Sequence, residues 1–279
     1  MRNEKVYSWP KWTAQLLSAE QQKKVSQADI AKLNKAQILI WQALNIYDDF
    51  FDGEGKKEDL PIANSYSRVF IQTFYNLELS NNFYLLLDCL FANIDKTNRQ
   101  EILQNKLKID NGSIIIPKKL PDFSKPENLS KKSLVLALAP LAIMDLASQT
   151  KIKTSAVNNN SNYLLNFFKY ALSAKQLSDD AKDWLDDLKN GQINSVNILI
   201  LKEAQKKKIE LNLNKPQKLY LLFLGQAALP SGQKISELCA KARTEIKKIT
   251  LSNDKLTQKI IKPLESAANK AKRFYDNIS

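Results

Sequence analysis

The chain has 279 residues, 42 lysines and arginines against 29 acids for a net charge of +13, 44% hydrophobic residues and no histidine. That length and apolar content suffice for a buried core. The missing histidine excludes Ser-His-Asp and Cys-His catalysis, imidazole metal ligands and the usual near-neutral proton shuttle.

Six glycines and nine prolines leave few of the turns a many-stranded sheet needs, so the expected fold is all-α with long helices. Cys89 and Cys239 lack the close spacing of a zinc or redox motif, and a reduced cytoplasmic setting fits them. The opening "MRNEKVYSWPKW" has no apolar signal-peptide core. The longest apolar run, 134–144, is too short to span a bilayer and meets Asp145. The expectation is therefore a soluble cytoplasmic chain with no transmembrane segment. The positive charge is scattered as lysine pairs and short runs such as "KKKIE", residues 206–210. No nucleic-acid motif accompanies it, so it reads as a solvated surface with no stable nucleic-acid partner.

In chain order, residues 1–27 read as a peripheral N-terminal segment. Helical periodicity follows over 28–51, where Ile30, Leu33, Leu39, Trp41, Leu44 and Ile46 supply the apolar contacts, with Gly53 and Gly55 as a stop. Further helices are expected over 63–79 and 82–107. Residues 109–130 hold a turn signal, a β-branched run and three prolines, which predicts an irregular stretch with a short hairpin. Residues 131–147 read as a buried helix, and the Asn-rich 158–162 as a loop. A long helical pattern over 163–189 ends at Asn190 and Gly191. Helical segments follow near 195–208, 217–226, 234–249 and 254–275. Without a linker, a composition break or a repeat, the economical reading is one α-helical domain spanning 1–279.

Two acidic patches interrupt this pattern. In "IYDDFFDGEG", residues 46–55, Asp48, Asp49 and Asp52 fall three and four apart, on adjacent parts of one helix face. In "QLSDDAKDWLDDLKNG", residues 176–191, Asp179, Asp180 and Asp183 repeat that D-D-x-x-D spacing, and Asp187 continues the stripe. One such motif is expected by chance in roughly one chain of this kind in twenty, and two in far fewer. Two carboxylate-rich helix ends call for cations. Mg²⁺ suits them, because this hard ion takes oxygen ligands and keeps waters and substrate phosphates. Such a site clamps a diphosphate and stabilises it as it leaves.

These residues resemble the class I isoprenoid synthases, the superfamily of trans-prenyl diphosphate synthases, squalene and phytoene synthases and terpene cyclases. The resemblance covers about residues 38–191. In prenyl synthases the first D-D-x-x-D ends a helix and is followed by a basic pair; here Lys56 and Lys57 follow Asp48, Asp49 and Asp52. Lys132, with Ser133, stands about where those families begin the buried helix leading to the second motif. "KQLSDDAKD" is similar to the F-Q-x-x-D-D-x-x-D of prenyl synthases through Gln176, Asp179, Asp180 and Asp183. The spacing of Asp179, Asp183 and Asp187, with Gly191, is similar to the squalene and phytoene synthase pattern. The G-G-K-x-R-P element that helps bind isopentenyl diphosphate and the K-x-G-x-D segment are absent, and lysines replace the usual arginine pair.

The resemblance implies a helical bundle around an apolar cavity, an allylic prenyl diphosphate substrate and Mg²⁺ as cofactor. It implies Asp48, Asp49, Asp52, Asp179, Asp183 and Asp187 as metal ligands. Asp180 joins the catalytic set, and Lys56, Lys57, Lys132 and Gln176 contact substrate. Arg273 and Tyr275 are candidates to cap the pocket. The expected activity is prenyl transfer of the polyprenyl diphosphate synthase kind. The alternatives are a cyclase, a head-to-head synthase, and a non-catalytic helical or nucleic-acid-binding protein. A homodimer stays open.

Overall fold

A computed structural model describes residues 8–148, 155–249 and 255–276. Among the described residues the protein is all-α apart from one two-stranded ribbon and two isolated bridges, Lys106 with Gln192 and Ser113 with Asn212. The first helices are α1 (Trp9–Ala14), α2 (Ala19–Gln22), α3 (Gln27–Asp52), α4 (Leu60–Tyr75) and α5 (Asn81–Gln104). Strands β1 (Lys108–Asp110) and β2 (Ser113–Ile115) precede α6 (Pro126–Ser130), α7 (Leu138–Ser148) and α8 (Ser155–Lys189). The chain closes with α9 (Asn197–Lys207), α10 (Pro216–Leu222), α11 (Leu229–Lys247) and α12 (Lys262–Asp276).

Two compact units make up the chain, each assembled from three stretches. The first comprises Met1–Asn93, Ser133–Phe168 and Arg243–Ile260; the second comprises Ile94–Lys132, Lys169–Ala242 and Ile261–Ser279. Three of the five boundaries fall inside α5, α8 and α11, where no linker can signal them in the sequence; the other two fall at Lys132–Ser133 and at the end of a π-helical segment, Thr257–Ile261.

In the first unit, Leu33, Ala36, Ile40 and Ala43 of α3 are buried at helical spacing. From Leu138 to Met144, α7 is buried at every position. Residues 8–27, expected to be peripheral, contribute Trp9, only 1% exposed, whose ring centroid lies 5.0 Å from that of Phe168. Phe70 and Phe74 of α4 meet edge to face at 4.8 Å, and Phe74 lies 5.1 Å from Phe83. Two polar side chains of this core make defined hydrogen bonds. Gln37, fully buried, donates from Nε2 to the Leu136 carbonyl at 3.0 Å. Asp145 accepts from both the amide and the hydroxyl of Ser80 at 2.7 Å, anchoring the start of α5.

In the second unit the expected hairpin is present, with Asp110 opposite Ser113. Asn111 (φ 47°) and Gly112 (φ 80°) form its two-residue loop. Both central residues at positive φ are what a tight hairpin turn demands, hence Asn-Gly. Ala171, Leu172, Ala174, Leu177, Trp184 and Leu188 make the buried stripe of α8 here. Trp184 stacks on Phe223 at 4.5 Å with the rings 3° apart.

Two expectations are corrected. The Asn-rich 158–162 is not a loop but lies within α8. Asparagine costs only a few tenths of a kcal/mol in a helix interior, and the stretch holds no Pro or Gly to stop the helix. It is continuous with the stripe of Leu164, Phe167 and Phe168, which are fully buried. Likewise, 217–226 and 234–249 are not separate helices, because a π-helical segment, Phe223–Ala228, joins α10 to α11. Pro230, which has no N–H to donate to the preceding turn, falls just after this π-helical segment.

Candidate active site at two acidic helix ends

The first acidic motif is the C-terminal turn of α3, in the first unit. Gly53 caps the helix in the left-handed region at φ 81°. The amides of Glu54 and Gly55 then turn back onto the Asp49 carbonyl, at 2.9 and 2.7 Å. A Cβ on Gly55 would stand 2.6 Å from the Phe50 amide nitrogen, so only glycine permits this closure. The two glycines of "DGEG" are thus the structural stop for the acidic end.

Asp49 and Asp52 are exposed, while Asp48 is half-buried with its Oδ1 shielded from solvent. Three carboxylates at a helix C-terminus lie against the negative end of the helix dipole, an arrangement that cations relieve. One turn upstream, Ala43 and Leu44 are buried. The Tyr47 hydroxyl donates to Asn64 Oδ1 at 2.5 Å and pins this end of α3 to α4. Lys56 and Lys57 are both exposed; Lys56 precedes, and Lys57 opens, the 3₁₀ turn Lys57–Asp59 that follows.

The second motif lies on α8 in the second unit, and its acids divide between two helix faces. Asp179 is half-exposed and ion-paired with two lysines of its own helix, Lys175 one turn before it and Lys182, the latter at 3.2 Å. Asp180 points inward and is 7% exposed. Its Oδ1 accepts from Gln176 Nε2 at 2.8 Å. Its Oδ2 accepts from the Ser195 amide at 2.9 Å and from the Ser195 hydroxyl at 2.5 Å. Burial pushes the Asp180 carboxyl above its ordinary range, against the lowering effect of those hydrogen bonds.

Asn194 completes this network. Its Nδ2 donates to Asp187 Oδ2 at 2.6 Å and to the Asp180 carbonyl at 3.3 Å. Its Oδ1 accepts from the amides of Val196 and Asn197 at 2.9 and 2.7 Å, capping α9. Asn197 returns the contact, accepting from the Asn194 amide at 2.9 Å and donating to the Gln192 carbonyl at 2.8 Å. Asp187 is therefore half-buried and held in one orientation, whereas Asp183 stands exposed.

Of the expected substrate contacts, Gln176 is engaged with Asp180. Lys132 is half-buried and pairs with Glu101 at 2.7 Å. The side chains of Arg273 and Tyr275 lie outside the described residues. Among the described residues, no three Asp, Glu or Cys side chains gather closely enough to hold a metal ion by themselves.

The residues missed in the sequence are Asn194, Ser195, Asn197 and Glu101. A signal for the first three exists, since small polar residues directly before the apolar run of α9 are what a helix N-terminus uses. Nothing local identifies Glu101, whose partner is 31 positions away. No protein-family model matches the sequence, and no curated protein matches it.

Proposed function

We propose that the chain is a Mg²⁺-dependent synthase of the class I isoprenoid kind, ionising an allylic prenyl diphosphate and transferring its prenyl cation. The observation that carries this reading is the pairing of two D-D-x-x-D motifs on two long helices, α3 and α8, each with a buried apolar stripe reaching its acidic segment. The donor set fits the metal. Mg²⁺ is commonly held by one or two carboxylates, with waters and substrate phosphates filling the other positions, so three converging protein ligands are not required. When bound, the metal neutralises charge on the departing diphosphate.

The side chains then take different roles. Asp48, Asp49 and Asp52 offer oxygens from α3, and Asp183 and Asp187 offer them from α8. Asp180, enclosed by Gln176 and Ser195, fixes the acidic stretch of α8 rather than meeting a ligand. Lys56 and Lys57 supply positive charge for diphosphate oxygens, without the bidentate geometry of arginine. Lys132 reaches a substrate only by leaving Glu101.

A second, non-catalytic reading draws on the ion pairing of Asp179 with Lys175 and Lys182 and on the enclosure of Asp180. Incubation with geranyl, farnesyl or geranylgeranyl diphosphate and Mg²⁺, each with and without isopentenyl diphosphate, separates the readings by product mass. Longer diphosphates formed only with isopentenyl diphosphate mean elongation. Hydrocarbons or alcohols formed without it mean a cyclase or head-to-head synthase. No turnover across the panel favours the non-catalytic reading.

A further inference from the structure

The chain's positive charge is concentrated in its second unit, which has 25 basic and 15 acidic residues and so carries +10 of the net +13. Within that unit the lysines gather on one run of surface. Gln205 Nε2 donates to the Pro117 carbonyl at 3.4 Å, laying the segment with Lys118, Lys119 and Lys125 beside α9. Lys202 of α9 lies close enough to Asp122 of that segment to help hold its carboxyl below the ordinary range, after the larger effect of the Ser124 hydrogen bonds. The last turn of α9 adds Lys206 and Lys207, and Lys208 caps it.

The chain then returns along the ribbon. The Ile114 amide donates to the Leu211 carbonyl at 3.0 Å and the Leu213 amide to the Gly112 carbonyl at 2.8 Å, before Lys215 leads into α10. Lys118, Lys119, Lys206, Lys208 and Lys215 are all exposed. Large apolar side chains stand on the same segments: Leu221 on α10 is 70% exposed and Ile115 on β2 is 47% exposed.

We infer that this lysine face, with Leu221 and Ile115, docks the second unit on an anionic phospholipid surface. Lysine charges near such a surface contribute additively, one by one, and a small number of exposed apolar side chains entering the headgroup layer adds to them. The composition favours lipid over nucleic acid. The segments that carry these lysines hold no arginine to supply the bidentate fork that suits phosphate and base recognition. Among the described residues, Tyr220, 48% exposed, is the one large exposed aromatic beside them, short of the series of platforms on which successive bases stack. No helix among the described residues is long and apolar enough to cross a membrane, so the contact would be peripheral.

The test is co-sedimentation of the full chain with phosphatidylcholine vesicles, with and without phosphatidylserine, at rising salt. One variant carries Lys118→Gln, Lys119→Gln, Lys206→Gln and Lys215→Gln. A charge-matched control carries Lys11→Gln, Lys23→Gln, Lys35→Gln and Lys247→Gln, all in the first unit. The expected result is salt-sensitive binding that needs phosphatidylserine, weakened on the order of a thousandfold in the first variant and little changed in the control. Leu221→Ser should weaken vesicle binding further. Equal loss in both lysine variants, or no binding to phosphatidylserine vesicles at low salt, overturns the inference. So does an oligonucleotide that binds more tightly than the vesicles through the same lysines. Neither Mg²⁺ nor a prenyl diphosphate enters the assay, so its outcome is independent of the proposed reaction.

Discussion

Asp180 Oδ2 accepts both the amide of Ser195, at 2.9 Å, and its hydroxyl, at 2.5 Å, closing the end of α8 onto the start of α9. The residue that completes the second D-D of the sequence is thereby a buried structural carboxyl. Of the other acids of this stretch, Asp179 is half-exposed and ion-paired, Asp183 is exposed, and Asp187 is half-buried against Asn194.

Removing the Asp180 side chain leaves the Ser195 amide and hydroxyl buried without an acceptor. Asp180→Ala should cost about 1–3 kcal/mol in urea unfolding, and Asp180→Asn, which keeps an acceptor oxygen, distinctly less.

The pH dependence of this group has a definite sign. Because burial raises its folded-state pKa above the ordinary 3.8, the folded protein binds a proton more tightly than the unfolded chain. Its contribution to stability is then fully present below the unfolded value and is lost as pH rises through the folded one. The stability of the native chain relative to Asp180→Asn should therefore increase on acidification toward pH 4, as read from denaturant midpoints across pH.

Asn194→Asp keeps the cap acceptor for Val196 and Asn197 but sets a like charge where Asn194 now donates to Asp187 at 2.6 Å. A loss of roughly 2–3 kcal/mol is expected at neutral pH, shrinking as the carboxylates protonate. Thermal melts at neutral and acidic pH check this.

At the first acidic end, Gly53→Ala should cost about 1 kcal/mol, the usual price of a side chain in the left-handed cap position. Gly55→Ala should cost more, roughly 2 kcal/mol or above, because its Cβ meets backbone atoms of Phe50 that cannot step aside. Chemical denaturation of the two variants ranks them.

Most of this architecture was legible because it is local. The apolar spacing that includes Ile30, Leu33 and Leu44, all buried, announces α3, although Leu39, Trp41 and Ile46 of the same pattern are only half-buried, and Asn111-Gly112 announces the hairpin. The position of Asp180 could also have been read: it stands three residues after Leu177 and four before Trp184, on the buried stripe of α8. Lys175 and Lys182, one turn either side of Asp179, likewise marked that acid as paired. What the sequence hid was non-local. Glu101 meets Lys132, and Ser80 meets Asp145 across 65 positions. The Asn-rich 158–162 looked like a loop because its composition is polar, yet a helix continuous with a buried stripe absorbs that modest propensity cost.

Under the proposed function, the exposed acids of α3 and α8 serve a Mg²⁺-dependent diphosphate chemistry while Asp180 supports them. Diphosphate release from farnesyl diphosphate, measured with Mg²⁺ and with EDTA for the native chain, Asp49→Asn, Asp183→Asn and Asp180→Asn, addresses it directly. Expected are release that EDTA abolishes, a fall of about a hundredfold or more in Asp49→Asn and Asp183→Asn, and a much smaller effect in Asp180→Asn. No release by the native chain, or release indifferent to EDTA and to both exposed-acid substitutions, would contradict the proposed function.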